Sequence, residues 1–321
     1  MATTIVKNTY SLFGFELPDY RYTYYNVINE SHSWDPDVTK FPGFQNSFAF
    51  ERSFIPIGNW IQLQTQLYWR YCFHLSIAYV IIIFGIQRIM RDRQSFNLRT
   101  LLMFWNLVLA TFSIIGTYRC LPEFIHIIRT EGLRASYTKS SYYADFRLSI
   151  WYLFFTISKA FELIDTLFIV LRKSKLIPLH WIHHIMTLNF SWFVFTDVPA
   201  TARWMVNMNF VVHSLMYTYY ALKALRFHIP KPVNLTITTL QVAQMFAGLY
   251  INYDCFRRKL MGYPVDTCYS VLFTGVILYT VFAILFMNFF IRTYVLPAKP
   301  INQMLSDINH NHYKGVVKKC Q

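Results

Sequence analysis

Apolar residues in this chain are gathered into seven long blocks that are separated by short polar segments. A helix needs about 20 mostly apolar residues to cross a bilayer, and each block approaches or exceeds that length. The blocks cover residues 71–88, 101–119, 148–170, 180–197, 204–222, 234–251 and 269–291. The pattern predicts an all-α membrane protein with about seven transmembrane helices.

Composition and charge support this prediction. Hydrophobic residues make up 55% and charged residues only 14% of the 321 residues, whereas soluble domains carry roughly 25% charged residues. The formal net charge is +14, but the sequence contains no basic helix or aromatic platform of the kind that binds nucleic acid. The cations lie in short segments between apolar blocks, so we expect membrane lipid or an anionic ligand, and no nucleic acid, as the partner.

The distribution of cations also predicts an orientation and three parts of the chain. The segments 88–100, 171–179, 221–233 and 292–321 together hold 15 of the 30 lysines and arginines. Because short cytoplasmic segments are enriched in these residues, we place these four segments in the cytosol. The chain then consists of a lumenal N-terminal tail (1–67), a seven-helix domain (68–292) and a cytosolic tail (293–321).

Two short motifs agree with that orientation. Asn29 begins an Asn-Glu-Ser sequon in the tail that we place in the lumen, which predicts N-glycosylation there, although such triplets also arise by chance. Lys318 and Lys319 occupy the fourth and third positions from the end and resemble the dilysine retrieval signal of endoplasmic-reticulum membrane proteins, with a merely basic tail as the alternative. No secretory apolar region occupies the first sixty residues, so we expect the first span to direct insertion.

The five cysteines form no CxxC pair and no zinc spacing. The predicted topology places Cys120, Cys255 and Cys268 on the oxidising lumenal side. We predict a Cys120–Cys268 disulfide, because Cys268 begins a span at a fixed height whereas Cys255 lies in a looser basic loop. Three buried free thiols are the alternative.

The third block carries charged residues inside an otherwise apolar stretch. Lys159, Glu162 and Asp165 are spaced at i, i+3 and i+6, which places them on one helical face. A charged residue at the centre of a span costs about 2.5–3.5 kcal/mol and is by default a sign of function. The structural alternative is a Lys159–Glu162 pair that stabilises the bundle, but the second acid leaves an unmatched charge.

The fourth block opens with three histidines at i, i+3 and i+4: His180, His183 and His184. A single histidine on an apolar face is usually a satisfied core residue. Three on one stripe have six ring nitrogens to satisfy, which favours a functional interpretation.

Two further blocks carry polar residues at helical spacing. The fifth has Asn209, His213, Tyr217 and Tyr220, and the sixth has Gln241 and Gln244. An aromatic belt or hydrogen bonds between helices are the structural alternatives. With a rise of about 1.5 Å per residue, Asp165, Gln241 and His213 fall at similar depths, so one cytosol-facing site can gather them.

Three classes of function fit intramembrane histidines. A di-iron desaturase needs roughly eight imidazoles in several boxes, but His180-x-x-His183-His184 is the single such box, so we expect no metal. A transporter or receptor could use the same stripes as a proton relay. Imidazoles beside carboxylates also suit acyl transfer, and we expect imidazole as the nucleophile because no cysteine reaches the site.

Four motifs in order along the spans resemble those of the ELO family of very-long-chain fatty acid elongases. The motifs are Lys159-x-x-Glu162-x-x-Asp165, His180-x-x-His183-His184, Asn209-x-x-x-His213-x-x-x-Tyr217-x-x-Tyr220 and Gln241-x-x-Gln244. The match covers roughly residues 60–295. Four ordered motifs are far more specific than the histidine box alone.

The resemblance implies a very-long-chain 3-oxoacyl-CoA synthase of the endoplasmic reticulum. In such a protein six of seven spans enclose a narrow acyl-chain tunnel open to the cytosol. The enzyme condenses long-chain acyl-CoA with malonyl-CoA to 3-ketoacyl-CoA, CO₂ and CoA, without a bound cofactor. Other enzymes of the elongation cycle are expected partners, and homodimerisation is left open.

The resemblance also implies roles for individual residues. His183 would carry the acyl group as an acyl-imidazole, and His213 would assist it. His180, His184 and Asp165 would set tautomers and protonation, with Lys159 orienting the acids. The expected substrate-binding residues are Asn209, Tyr217, Tyr220, Gln241, Gln244, Arg172, Lys173 and Lys175. The last three could hold CoA phosphates, although the charge bias of membrane proteins explains them without a ligand.

Overall fold

A computed structural model of the chain describes residues 8–12, 15–19, 47–53, 68–195 and 197–296. Two short strands, β1 (Asn8–Leu12) and β2 (Phe15–Asp19), pair antiparallel near the N-terminus. The remaining elements of the described residues are helical, as the hydrophobic pattern predicted. The predicted glycosylation at Asn29 and the predicted retrieval signal at Lys318 and Lys319 lie outside the described residues.

Ten α-helices follow the hairpin in the described part of the chain. They are α1 (Ala49–Ser53), α2 (Tyr71–Ile89), α3 (Arg99–Thr130), α4 (Ala135–Thr138), α5 (Phe146–Phe161), α6 (Ile164–Leu171), α7 (Pro178–Phe195), α8 (Ala202–Ala224), α9 (Lys231–Leu260) and α10 (Tyr269–Phe290). Short 3₁₀ turns span Met90–Asp92 and Ser141–Ala144, and a π turn spans Ile291–Val295. Every predicted block coincides with one of these helices or, for residues 148–170, with two.

The third predicted span is interrupted at a point where the sequence contains no glycine, proline or other helix-breaking residue. Asp145 begins α5 by accepting the backbone N–H of Arg147 at 3.0 Å, a standard N-cap interaction. The helix then ends at Phe161, and α6 starts after a turn at Glu162 and Leu163. The break places the Glu162 carboxylate at a joint between two helices rather than within one.

The long helices form a closed ring. Neighbours contact each other in the cyclic order α3, α5, α7, α10, α9, α8 and back to α3. The α2 helix lies outside this ring, where it packs against α6 and α7. The ring therefore encloses the faces on which the predicted polar stripes lie.

Among the residues that the structure describes, three helical segments are long and apolar enough to cross a membrane: Tyr71–Asp92, Arg99–Thr130 and Tyr269–Val295. The helices α5, α7, α8 and α9 are not among them. These four carry most of the polar stripes, which lower their apolarity, and α5 is also shortened to 16 residues by the break. The helices that carry the polar stripes thus form the ring together with the more apolar α3 and α10.

One end of the ring is closed by a buried arginine. Arg203, in the first turn of α8, is completely buried and donates to Glu123 of α3 at 3.1 Å. It also donates to the backbone carbonyls of Ser136 at 2.7 Å and Lys139 at 2.8 Å. These bonds tie the α3–α5 connection to the start of α8, so side chains fill this end of the bundle.

The buried carboxylate of Glu51 adds a second anchor to α3. Arg119 binds it through two nitrogens, at 2.8 and 2.7 Å, and the Trp151 indole N–H donates to it at 2.8 Å. Bidentate pairs of this kind are strong and geometrically specific. The short helix α1 is thereby fixed against α3 and α5.

The predicted Cys120–Cys268 disulfide is wrong in this structure. Both residues are buried thiols in two separate core clusters, Cys120 with Trp151 and Cys268 with Val271. The Cys255 thiol contacts the Tyr137 carbonyl at 3.2 Å in a third cluster. The prediction failed because α3 and α10 are not neighbours in the ring.

We predict that Gly116→Ala destabilises the bundle. A Cβ at Gly116 would lie 2.6 Å from the Phe210 ring, which is itself 1% exposed, and overpacking of this kind costs about 1–3 kcal/mol. Thermal unfolding in detergent should show a lower Tm. Gly85→Ala is the control, because no neighbouring atom of the described residues lies within 4 Å of its added Cβ and alanine favours a helix by about 0.5–1 kcal/mol. Equal Tm values for the two variants would contradict the tight α3–α8 contact.

Candidate active site

A cavity of about 510 Å³ lies within the ring, among α3, α6, α7, α8, α9 and α10. The polar stripes of four predicted spans meet at its wall. Eleven of the residues singled out in the sequence line it: Asp165, Arg172, His180, His183, His184, Asn209, His213, Tyr217, Tyr220, Gln241 and Gln244. The helical spacing of these residues therefore located one common site.

The cavity opens at the end of the ring opposite Arg203. Its outer wall includes Arg99 at the start of α3, Arg172 just after α6 and Lys223 near the end of α8, and all three side chains are exposed. The histidines lie deeper. A negatively charged ligand that enters the cavity meets three cations before it reaches the imidazoles.

A buried ion pair stands behind the cavity wall. The Lys159 ammonium donates to Glu162 Oε1 at 2.6 Å, and these residues are 3% and 4% exposed. The same ammonium lies 4.2 Å from the centroid of the Phe155 ring. Neither Lys159 nor Glu162 lines the cavity, so the pair can orient the site but does not touch its contents.

Lys159 determines how the Asn209 amide is oriented. Its ammonium has only donors and donates to Asn209 Oδ1 at 2.9 Å, so the amide nitrogen of Asn209 faces His213 Nε2 at 3.1 Å. The Nε2 atom therefore accepts, and the proton of the neutral ring sits on Nδ1. This Nδ1 faces Glu162 Oε1 at 3.8 Å, so protein groups face both nitrogens of His213.

Asp165 is held by two neutral donors from different helices. The Trp105 indole N–H donates to its Oδ1 at 2.5 Å, and the Tyr217 hydroxyl donates to its Oδ2 at 2.8 Å. The Tyr217 ring packs edge-on against His213, with ring centroids 5.2 Å apart. The carboxylate of Asp165, the second acid of the motif, is therefore stabilised by two hydrogen bonds rather than by a cation.

The three histidines of α7 form a contiguous cluster. The ring centroids of His180 and His184 are 4.5 Å apart, and those of His183 and His184 are 5.8 Å apart. His183 Nδ1 is buried and bonds to no described residue, and Phe282 packs at 4.5 Å from its ring. Since His183 lines the cavity and its Nδ1 is buried, we infer that Nε2 is the ring nitrogen that opens to the cavity.

The remaining predicted site residues divide into two groups. Gln241 lines the cavity and contacts Met216 Sδ at 3.2 Å, and the buried Gln244 Oε1 has no partner among the described residues. Lys173 and Lys175 do not line the cavity. The Lys173 ammonium instead donates to the backbone carbonyls of residues 91 and 93, at 3.0 Å each, so the prediction that it binds phosphate has no support.

Sequence reasoning missed several residues of the site. Arg99 and Asn106 of α3 line the cavity, as does Phe286 of α10, and Trp105 binds Asp165. In the sequence Arg99 counts only as one of the cations of segment 88–100 that predict the orientation. The position of Arg99 at the predicted cytosolic end of the second apolar block could have indicated a role at the mouth. Trp105 lies inside that apolar block, where the sequence gives no such indication.

With this geometry in place, a family comparison decides the protein's class. A model of the ELO family, described as the GNS1/SUR4 family, matches residues 64–302. The chain belongs to the ELO family of fatty acid elongases. This elongase is a multi-pass membrane protein, and its family membership favours the acyl-transfer interpretation over a transporter, a receptor or a di-iron desaturase.

Individual relatives agree with the family assignment. The elongase is 40% identical over 275 residues to "Very long chain fatty acid elongase 6" of Drosophila melanogaster, covering 84% of each chain. It is 40% identical over 230 residues to the Mus musculus protein of that name, covering 71% of this chain and 85% of the relative. It is 38% identical over 247 residues to "Long chain fatty acid elongase 1" of Caenorhabditis elegans, covering 76% and 82%.

We predict that Lys159→Met destabilises the elongase. The change leaves the buried Glu162 carboxylate without its cation, which costs about 3–5 kcal/mol. Yield and Tm of the purified protein should both fall. The double variant Lys159→Met, Glu162→Leu should recover stability because it removes both charges, but it should not recover elongation activity, because Asn209 and His213 lose their orientation. Full activity in the double variant would show that the pair has only a structural role.

Proposed function

We propose that this elongase is a very-long-chain 3-oxoacyl-CoA synthase that condenses long-chain acyl-CoA with malonyl-CoA through an acyl-imidazole on His183. One contrast favours His183 over His213 as the nucleophile. His183 Nε2 opens to the cavity, whereas both ring nitrogens of His213 face protein groups. An available lone pair on a neutral imidazole is what nucleophilic attack on a thioester requires.

The reaction proceeds in two steps. The His183 Nε2 lone pair attacks the acyl-CoA carbonyl, the carbon–sulfur bond breaks, and CoA leaves as a thiolate that takes a proton from water at the mouth. Malonyl-CoA then loses CO₂, and the electron pair of the broken carbon–carbon bond attacks the acyl carbon. The imidazole departs from that carbon, which yields 3-ketoacyl-CoA and free enzyme.

The neighbouring polar groups assist these steps without being consumed. His213, held as the Nδ1–H tautomer by Asn209, stands beside the reacting centre. His184 packs against the nucleophile and His180 packs against His184, and both control its environment. Asp165 orients Tyr217, and the Lys159–Glu162 pair orients Asn209, a role analogous to the orienting acid of a catalytic triad.

The polar residues of the cavity wall suit the two CoA esters. Gln241 and Gln244 carry amide donors suited to the thioester oxygens, on which negative charge develops. At the mouth, Arg99, Arg172 and Lys223 suit the CoA phosphates. The substrates supply all reacting atoms, so the mechanism uses no bound cofactor.

The fold suits seven membrane spans with the cavity open to the cytosol. The cyclic contact order of six helices supports a tunnel enclosed by them, with α2 outside. The arginines and lysines at the mouth lie in the segments that the charge bias assigns to the cytosol. We therefore propose an endoplasmic-reticulum protein with a lumenal tail (1–67), a catalytic domain (68–292) and a cytosolic tail (293–321), acting with the other enzymes of the elongation cycle.

We predict that His183→Ala abolishes condensation while leaving yield and Tm near those of the wild type. The side chain is proposed as the acyl carrier, so its loss removes the covalent step. Purified protein incubated with labelled acyl-CoA and malonyl-CoA should release CO₂ and form a 3-ketoacyl product only with the wild type.

The intermediate provides a second test of His183. Mass spectrometry of wild-type protein incubated with acyl-CoA alone should find the acyl group on the peptide that contains residue 183. An adduct on a cysteine, or turnover without any adduct, would contradict the acyl-imidazole mechanism. Binding of acyl-CoA without turnover would contradict the proposed function as a whole.

We also predict that the double variant Arg172→Gln, Lys223→Gln raises the KM for both CoA esters several-fold and leaves kcat nearly unchanged. The two cations contribute binding that is equal in the ground state and the transition state. Steady-state kinetics at low and high salt should show that the wild-type advantage shrinks as salt screens the charges. Lys175→Gln is the control, because Lys175 does not line the cavity. An equal KM increase in the control would indicate general surface attraction instead of phosphate binding.

A further inference from the structure

Trp105 contacts the candidate site from outside the sequence motifs. It lies on α3, in an apolar stretch, and does not line the cavity. Its indole N–H nevertheless donates to Asp165 Oδ1 at 2.5 Å. An indole has a single donor and no acceptor, so this bond uses all of its polar capacity.

We propose that Trp105 is a positioning residue of the elongase reaction, which acts through the Asp165 carboxylate on Tyr217 and thereby on His213. The inference rests on the proposed function of this cavity. It adds a residue of α3 that lies outside the cavity lining to a site whose histidines lie on α7 and α8.

The Asp165 carboxylate is fixed at both of its oxygens. Oδ1 accepts from Trp105 of α3, and Oδ2 accepts from Tyr217 of α8 at 2.8 Å. Asp165 also lies in the first turn of α6, where the helix N-terminus favours negative charge. One donor on each oxygen prevents the carboxylate plane from rotating, so Trp105 determines the direction in which Oδ2 faces Tyr217.

The orientation of Tyr217 follows from this bond. Its hydroxyl hydrogen points at Asp165, and its ring is 3% exposed and lies at 86° to the His213 imidazole, with centroids 5.2 Å apart. The ring thus limits rotation of His213 from the side, while Asn209 holds Nε2. Loss of the Trp105 donor leaves Oδ1 buried without that bond and frees the carboxylate to turn away from Tyr217.

Trp105→Phe separates this role from packing. The phenyl ring keeps an aromatic side chain beside Phe168 and against the cluster of Leu109, Ala110 and Tyr217 but has no N–H. Steady-state condensation by the purified full chain should show kcat lowered about tenfold, the size expected for a hydrogen bond to a charged group. The KM for acyl-CoA should stay within about twofold of the wild-type value, because the substitution does not change contacts that bind the ground state and the transition state equally.

Trp151→Phe is the matched control. It also removes an indole N–H from a carboxylate, since Trp151 donates to Glu51 Oε1 at 2.8 Å, but this bond lies away from the cavity. Its kcat should equal that of the wild type. Both variants should elute as monodisperse protein. Aggregation of Trp105→Phe alone would overturn the proposal, because the contact would then be structural.

A double-mutant cycle tests the route through Tyr217. In a Tyr217→Phe background, Trp105→Phe should cause no further fall in kcat, because residues that act as one unit are non-additive. The proposal would be overturned if the effects of Trp105→Phe and Tyr217→Phe on kcat multiplied in the double variant. A kcat for Trp105→Phe equal to that of Trp151→Phe would overturn it as well. A wild-type protein that releases no CO₂ would instead refute the proposed function, so the two failures are distinguishable.

Discussion

The buried ammonium of Lys159 is the constraint on which the rest of the site depends. A cation in a low-dielectric interior is stable only with a compensating charge and satisfied donors. Glu162 supplies the charge, and Asn209 of α8 accepts a second bond. Because the ammonium can only donate, the amide of Asn209 has one orientation. The proton of His213 is therefore placed on Nδ1. One desolvated charge thus fixes the joint between α5 and α6, the approach of α8 and the tautomer of an imidazole.

The sequence predicted those features that depend on periodicity. The seven helical blocks, the shared faces of Lys159, Glu162 and Asp165, and the histidine stripe of α7 all follow from a repeat of 3.6 residues and the cost of burying charge. The break at Glu162 and Leu163 could not be predicted, because neither residue disrupts a helix and the apolar stretch continues through it. Trp105 could not be predicted either, since an indole in a span is usually packing and its donor has a partner only in three dimensions.

The Cys120–Cys268 error separates two kinds of information. A span boundary and a rise of about 1.5 Å per residue give the depth of a side chain in the bundle. They do not give its position around the ring. Depth was enough to predict that Asp165, His213 and Gln241 share one site, because a narrow ring brings all inward faces together. It was not enough for the cysteines, because a disulfide requires Cα atoms within about 7 Å of each other.

The buried Arg203 has a consequence for the order of events. Its bonds to Glu123, Ser136 and Lys139 close the end of the ring opposite the mouth. In the proposed mechanism acyl-CoA and malonyl-CoA enter through this one opening, so the CoA released from the first has to leave before the second can enter. In the proposed mechanism this shared entrance fits double displacement, and each CoA ester in excess competes with the other for it. In that mechanism the product leaves through the entrance with its polar head first and its hydrocarbon tail last.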